Sequence, residues 1–294
     1  MIYVICGPTG SGKTDVALKV ADLLDAPIVN ADAFQIYKDM NIGTNKLSVD
    51  SPYYKRHYLL DIKTPEETYS VRDYQIDFRR VVDELSKSYK DIVVCGGTGL
   101  YIKAAIYDYQ FLDEEESEPQ ENYDGYTNEK LYEKLISLDK EAAQNIHVNN
   151  RKRIIRALDL ISRNGVKKSD VINSQEHLPL YEAKFLFLNP DRDKLYEAIN
   201  ARVDSMIASG LVEEVKMLKA KYNLSLTSKQ AIGYKEILDY LDNKTSLLEA
   251  IELIKKRTRN YAKRQVTFFK NQFKTELFSA KEALFDWVKE YVGR

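Results

Sequence analysis

Cysteine is scarce in this 294-residue chain: Cys6 and Cys95 are the only two. Each ends an apolar run just before a glycine-rich turn. That setting suits free thiols at buried strand ends in a reducing compartment and excludes a disulfide framework. Long apolar runs are absent too. No stretch approaches the roughly 20 residues that span a bilayer, and the opening MIYVICGPTG lacks the basic flank and cleavage site of a secretory signal. A cytoplasmic protein with no membrane partner is expected, a monomer by default. His57, His147 and His177 stand apart from one another and from cysteine, so no zinc site is expected and none of the three is assigned to catalysis. No internal repeat is visible.

Net charge is also small, because 44 Lys/Arg stand against 45 Asp/Glu, but the charge is segregated. Asp113 to Glu121 carries six acids and no base, whereas His147 to Lys168 carries seven Lys/Arg and one acid. Ile251 to Thr275 carries eight Lys/Arg against one Glu. Two basic stretches in a neutral chain point to a polyanionic partner larger than a nucleotide, the bland alternative being a pair of solvated helix faces.

Strand and helix signals alternate through the first hundred residues. Ile2–Cys6 reads as a buried strand, Lys13–Leu24 as the helix it feeds, Pro27–Asn30 as a short strand, Val71–Lys87 as a helix and Asp91–Cys95 as another buried strand. This order predicts an α/β fold, a parallel sheet flanked by helices. The sheet is expected to resume at Lys184–Leu188, with helical pattern from there to the C-terminus. Between lies a helical insertion, with Leu131, Leu135 and Leu138 on one apolar face and Ile154, Leu158 and Ile161 on another. We therefore expect a core domain of residues 1–111 and 183–294, and an insertion domain of 112–182.

The most specific local signal is GPTGSGKT, residues Gly7 to Thr14, set between a strand and a helix. Gly7, Pro8, Thr9, Gly10, Ser11, Gly12, Lys13 and Thr14 have the spacing of a phosphate loop. Glycines let backbone N–H groups surround an anion, the helix N-terminus adds its dipole, Lys13 reaches an outer oxygen and the Thr14 hydroxyl is placed for Mg²⁺. The motif does not say what lies beyond the phosphates. Two companions of ordinary triphosphate enzymes are missing. The strand DIVVC runs into GGTGLY rather than ending in Asp, and no guanine-reading Asn-Lys-x-Asp occurs. The first acid after a strand is Asp32, which a parallel sheet would bring to the same edge as the loop; a turn or helix cap is its alternative role.

Seven ordered blocks, NADAFQIYKDMNIGTNK, RHYLLDI with YSVRDY, GGTGLYIKA, NNRKRIIRALDL, ARVDSMIASGLVEEV, QAIGYKEILDYL and IKKRTRNYAKRQVTFF, make the chain resemble the tRNA dimethylallyltransferase (tRNA isopentenyltransferase) family. The resemblance covers nearly the whole chain and is weakest from Asp113 to Asp124. It implies a P-loop NTPase-like core, and transfer of a dimethylallyl group from dimethylallyl diphosphate to the exocyclic amine of the adenosine immediately 3′ of the tRNA anticodon. The loop would then hold the diphosphate of a prenyl donor. By the same resemblance Asp32 is the general base, Thr98 lies where donor and base meet, Arg202 contacts the diphosphate, and Asp32, Ala33, Phe34, Gln35 and Lys152, Arg153, Ile154, Ile155, Arg156 meet tRNA in its anticodon stem-loop. The residue types suit the chemistry: an adenine amine must lose a proton as it attacks, and leaving diphosphate gathers negative charge that Lys13, Arg202 and Mg²⁺ can stabilise. This chain has Ala33 where the family often has Ser, and the acidic segment lacks the Arg that relatives often carry there.

The basic runs fit an RNA backbone. Lys152, Arg156 and Arg163 share a helix face, as do Lys255, Arg259 and Lys263 beside Tyr261, with Phe268 and Phe269 expected in the core. The competing classes are a P-loop kinase acting on a small metabolite and a non-catalytic RNA-binding module.

Overall fold

A computed structural model describes residues 1–111, 121–173 and 175–293. The acidic run from Asp113 falls outside them up to residue 120. The chain divides into two compact units, one of Met1–Ile106 with Leu180–Arg294 and one of Tyr107–Pro179.

The larger unit opens with β1 (Ile2–Cys6), α1 (Lys13–Leu23), β2 (Ile28–Asn30), β3 (His57–Tyr58), α2 (Val71–Leu85), β4 (Ile92–Gly96) and α3 (Gly99–Ile106). In the smaller unit follow α4 (Asn128–Leu138), α5 (Lys140–Gln144), α6 (Arg151–Asn164) and α7 (Lys168–Asn173). The larger unit resumes with β5 (Ala183–Leu188), α8 (Arg192–Ala208), α9 (Leu211–Lys221), α10 (Tyr234–Leu241), α11 (Leu247–Gln272), β6 (Glu276–Phe278) and α12 (Lys281–Val292). Its six strands form one parallel sheet in the order β3-β2-β4-β1-β5-β6, the P-loop NTPase-like arrangement expected.

Near-continuous apolar strands such as IYVIC and IVVCG are buried on both faces, as a parallel sheet requires. Alternation decides which face each residue serves. Tyr3, Ile5, Val93, Leu186 and Leu188 pack with Val16, Val20, Leu284 and Val288 of α1 and α12. On the other face Phe187 and Phe185 meet Phe269 and Phe273, and the buried Tyr74 of α2 donates to the Asn30 carbonyl at 2.9 Å. Phe269 is wholly buried. Helix starts follow local chemistry: Ser70 with Asp73 and Ser246 with Glu249 form capping boxes at α2 and α11, and Asp191 caps α8.

Two strands escape sequence reading. β3 has two residues and β6 three, too short to show any period, and β6 interrupts what the pattern treats as continuous helix. Helix α2 ends at Leu85, two residues before the expected stop.

The smaller unit has its own core of Tyr123, Leu131, Leu135, Ile146, Ile154 and Leu158. Leu138, expected on the same face as Leu131 and Leu135, is instead 39% exposed. It is the last residue of α4, and the next residue, Asp139, turns the chain by capping α5.

Candidate active site

Strand register sets the site. Cys6 lies level with Gly96, and Asn30 with Cys95, so the chain leaves β1, β2 and β4 side by side at the carboxyl edge of the sheet. There the phosphate loop, Ala31–Asp32 and the Gly97–Thr98 turn converge. Their approach is tight: a Cβ on Gly96 would lie 2.1 Å from the Ala31 carbonyl oxygen. One cavity is lined by Thr9, Lys13, Thr14, Asn30, Asp32, Gln35, Thr44, His57, Cys95 and Arg202. The sequence-predicted base, loop and remote arginine are thus brought together.

Within the loop, Gly10 and Gly12 take φ of 86° and 81°, left-handed values that an L side chain resists. Helix α1 has no side-chain cap at its N-terminus, so its first N–H groups stay available to an anion. The Ser11 hydroxyl is buried and has no hydrogen-bond partner among the described residues. Not every loop group is free for phosphate. Pro8 has no N–H and its carbonyl accepts from Ser11 N–H at 3.2 Å, and Thr9 N–H donates to Gln265 Oε1 at 2.9 Å. These two shape the loop rather than add donors.

Asp32 sits on a built platform. Its N–H donates to Asn30 Oδ1, Asn30 Nδ2 donates back to its carbonyl and to that of Leu59, and Asp32 Oδ1 accepts from Phe34 N–H at 3.0 Å. Oδ1 closes the turn, as the capping alternative expects, and Oδ2 has no hydrogen-bond partner among the described residues. Thr98 Oγ1 accepts from Ala33 N–H at 3.1 Å, so it ties the Asp32 segment to the turn after β4.

Two cations flank this carboxylate. Burial pulls Lys13 below the usual lysine range, an effect that Cys95 and Asp32 oppose and Arg202 reinforces. Burial likewise lowers Arg202, opposed by Asp32. Two desolvated cations facing one carboxylate leave a positive site that a polyanion would neutralise. Arg202 reaches from α8 and donates to the Thr44 carbonyl at 3.4 Å, which also accepts from Gln35 Nε2 at 3.1 Å. Tyr261 of α11 faces Thr98 and Gln265; burial first, then the Asp32 charge, pushes its phenol up to about 12, so it stays protonated.

Sequence reasoning missed three contributors. Glu214 of α9 accepts from Asn41, Ile42 and Gly43 N–H at 3.1, 2.8 and 3.2 Å and from the Tyr234 hydroxyl at 2.6 Å. This nest fixes the loop that ends in Thr44. Gln265 occupies the buried stripe of α11 with Thr258, Ala262 and Phe269, where a polar residue is itself the signal. His57, set aside from sequence, lines the cavity.

Burial lowers the His57 pKa from 6.5 to about 4, weakly opposed by the Tyr53 backbone. The unfolded chain takes up this proton near pH 6.5 and the folded chain only near 4. Stability is therefore complete above pH 6.5 and falls as the pH drops towards 4, by on the order of 3 kcal/mol from this group. Urea midpoints measured across that window should decline in the wild type and flatten in His57→Gln.

The basic runs divide. Lys255 pairs with Asp204 at 2.8 Å and Arg259 Nη1 donates to Asn200 Oδ1 at 2.6 Å, so both tie α11 to α8. Lys263 and Arg264 remain exposed and line an open groove with Thr267 and Phe268. In the smaller unit Lys152, Arg153 and Arg156 are exposed, Ile155 is half-buried, and Arg163 pairs with Asp159 at 2.8 Å. Ile154 is wholly buried. It cannot touch RNA as expected from the sequence; it anchors the helix that presents its basic neighbours. Among the described residues no group of three or more His, Cys, Asp or Glu could hold a metal ion.

The IPP transferase family model matches residues 35–272. The chain is 41% identical over 288 residues to the tRNA dimethylallyltransferase of Bacillus mycoides (strain KBAB4), covering 96% of this chain and 90% of the relative. It superposes on a tRNA delta(2)-isopentenylpyrophosphate transferase from Staphylococcus epidermidis with a TM-score of 0.71 at 33% identity, covering 99% and 97% of the two chains. A eukaryotic dimethylallyltransferase acting on tRNA gives a TM-score of 0.78 at 26% identity, over 99% of this chain and 77% of that one. With sequence, fold and site converging, the chain belongs to the IPP transferase family, whose matched relatives are tRNA dimethylallyltransferases.

Proposed function

We propose that the protein transfers a dimethylallyl group from dimethylallyl diphosphate to the exocyclic amine of the adenosine 3′-adjacent to the tRNA anticodon, releasing diphosphate. The observation that carries this reading is the shared cavity: a phosphate loop, a carboxylate with one unpartnered oxygen and a half-buried arginine line one pocket. The loop holds the donor diphosphate with Lys13, the first N–H groups of α1 and the Ser11 hydroxyl. The Thr14 hydroxyl, a hard oxygen donor lining the same cavity, would hold Mg²⁺, which would supply positive charge against that of the leaving diphosphate. Asp32 Oδ2 takes the proton from the attacking amine as the bond from nitrogen to the prenyl carbon forms and the carbon–oxygen bond to diphosphate breaks. Arg202 and Lys13 stabilise the departing diphosphate more than the intact ester. The turn bearing Thr98 and the phenol of Tyr261 shape the wall that receives the flipped base.

RNA contacts are proposed for Asp32 through Gln35 and for Lys152, Arg153 and Arg156, with phosphate contacts positioning the loop and base contacts selecting it. A monomer acting in the cytoplasm fits this reading, and no helix among the described residues is long and apolar enough to cross a membrane. Arg202→Gln is expected to lower kcat by about 100-fold, the scale for losing one charge-stabilising donor, with tRNA affinity unchanged in a filter-binding assay. The reading itself is tested by nucleoside mass spectrometry of unmodified tRNA incubated with protein, Mg²⁺ and dimethylallyl diphosphate. A dimethylallyl-adenosine supports it; phosphoryl transfer from ATP to a small acceptor, with no modified nucleoside, would move the protein to the kinases.

A further inference from the structure

The buried polar side chain of Gln265 is bound at both ends to catalytic loops. Its Oε1 accepts from Thr9 N–H at 2.9 Å, in the phosphate loop, and its Nε2 donates to the Gly97 carbonyl at 2.8 Å, in the turn that carries Thr98. A carbonyl can only accept and an N–H only donate, so these partners fix the amide's orientation. The fit is close as well as polar: a Cβ on Gly97 would lie 2.2 Å from Gln265 Nε2. One residue of α11 therefore spans the gap between the loop for the donor and the turn beside the acceptor base.

We infer that Gln265 is a positioning residue that sets the spacing between the phosphate loop and the Thr98 turn, and so the alignment of prenyl donor and adenine amine. It acts through Thr9 and Gly97 and touches neither reacting atom. Rate is sensitive to such spacing because attack requires the reacting atoms within about 3–3.5 Å and in line. A role confined to holding the fold would lower the melting temperature and leave each folded molecule fully active. A positioning role separates binding from turnover. The inference rests on the proposed reaction.

The test uses the full-length protein. Gln265→Leu keeps the bulk and removes both hydrogen bonds; Gln265→Ser leaves space beside Gly97. In folded Gln265→Leu, kcat is expected to fall at least 30-fold, while Mg²⁺-dependent binding of inorganic diphosphate and binding of tRNA each stay within about 3-fold of wild type. Gly97→Ala should lower kcat in the wild type by a similar factor and add less than about 3-fold in the Gln265→Ser background, because the collision partner is gone. Unchanged kcat in folded Gln265→Leu, loss of diphosphate binding that accounts for the whole defect, or fully additive losses for the pair would each overturn the inference. A wild-type protein that forms no prenylated adenosine would overturn the reaction instead, so the two failures are distinguishable.

Discussion

Asp32→Asn is expected to lower the rate of prenyl transfer by about 100- to 10,000-fold, the range for removing a general base, while tRNA binding and diphosphate binding persist. The substitution is nearly isosteric, and its amide oxygen can still accept from Phe34 N–H as Oδ1 does at 3.0 Å. The platform made by Asn30 uses only the backbone of Asp32, so it survives too. What is lost is the basic oxygen facing the cavity. Single-turnover assays with saturating tRNA separate this from a binding defect. A variant that transfers at the wild-type rate would remove Asp32 from the role of base. The same variant distinguishes an enzyme from an RNA-binding module, since binding alone does not need the carboxylate.

The second large effect is on stability. Glu214→Ala removes the acceptor for three backbone N–H groups and the Tyr234 hydroxyl. Buried donors left unpaired cost about 1–3 kcal/mol each, and relaxation with water entry recovers part of the sum, so a loss on the order of 4 kcal/mol is expected. Tyr234→Phe removes one bond of the four and should cost about 1 kcal/mol. Denaturant melts check both. Activity should fall with the nest as well, because the loop it holds ends in Thr44, whose carbonyl receives Arg202 and Gln35. A Glu214→Ala protein as stable as wild type would show that the loop finds other partners.

What was legible in the sequence and what was not divides on physical lines. GPTGSGKT is read from spacing because the backbone must pass close to an anion, and that demand falls on consecutive residues. Asp32 could be placed at the sheet edge because parallel strands open their ligand sites at one end. Lys152 to Arg156 showed their charge and helical spacing put Ile154 on an apolar face, which the structure buries; its expected RNA contact came from the resemblance alone. Glu214 carries no local mark of its work, and Gln265 carries only its place as a polar residue on the buried stripe of α11. The three loop N–H groups that reach Glu214 lie more than 170 residues from it in sequence, and Gly97 lies more than 160 from Gln265, so only the fold makes them neighbours. The same holds for β3 and β6, which exist because a neighbouring strand offers a ladder, not because two or three residues carry a period. Lys255 and Arg259 show the opposite error: a basic face drawn from helical spacing is partly spent on pairing α11 with α8.

In the proposed reaction the phosphate loop holds the diphosphate of a prenyl donor and lets it leave intact. The measurement that tests it most directly is the ratio of diphosphate released to dimethylallyl-adenosine formed, followed with protein, Mg²⁺, dimethylallyl diphosphate and unmodified tRNA. A ratio of about one, with neither product when tRNA is omitted, is the predicted result, since amine attack and diphosphate departure are one step. Orthophosphate released from ATP, with no diphosphate and no modified adenosine from the prenyl donor, would contradict it.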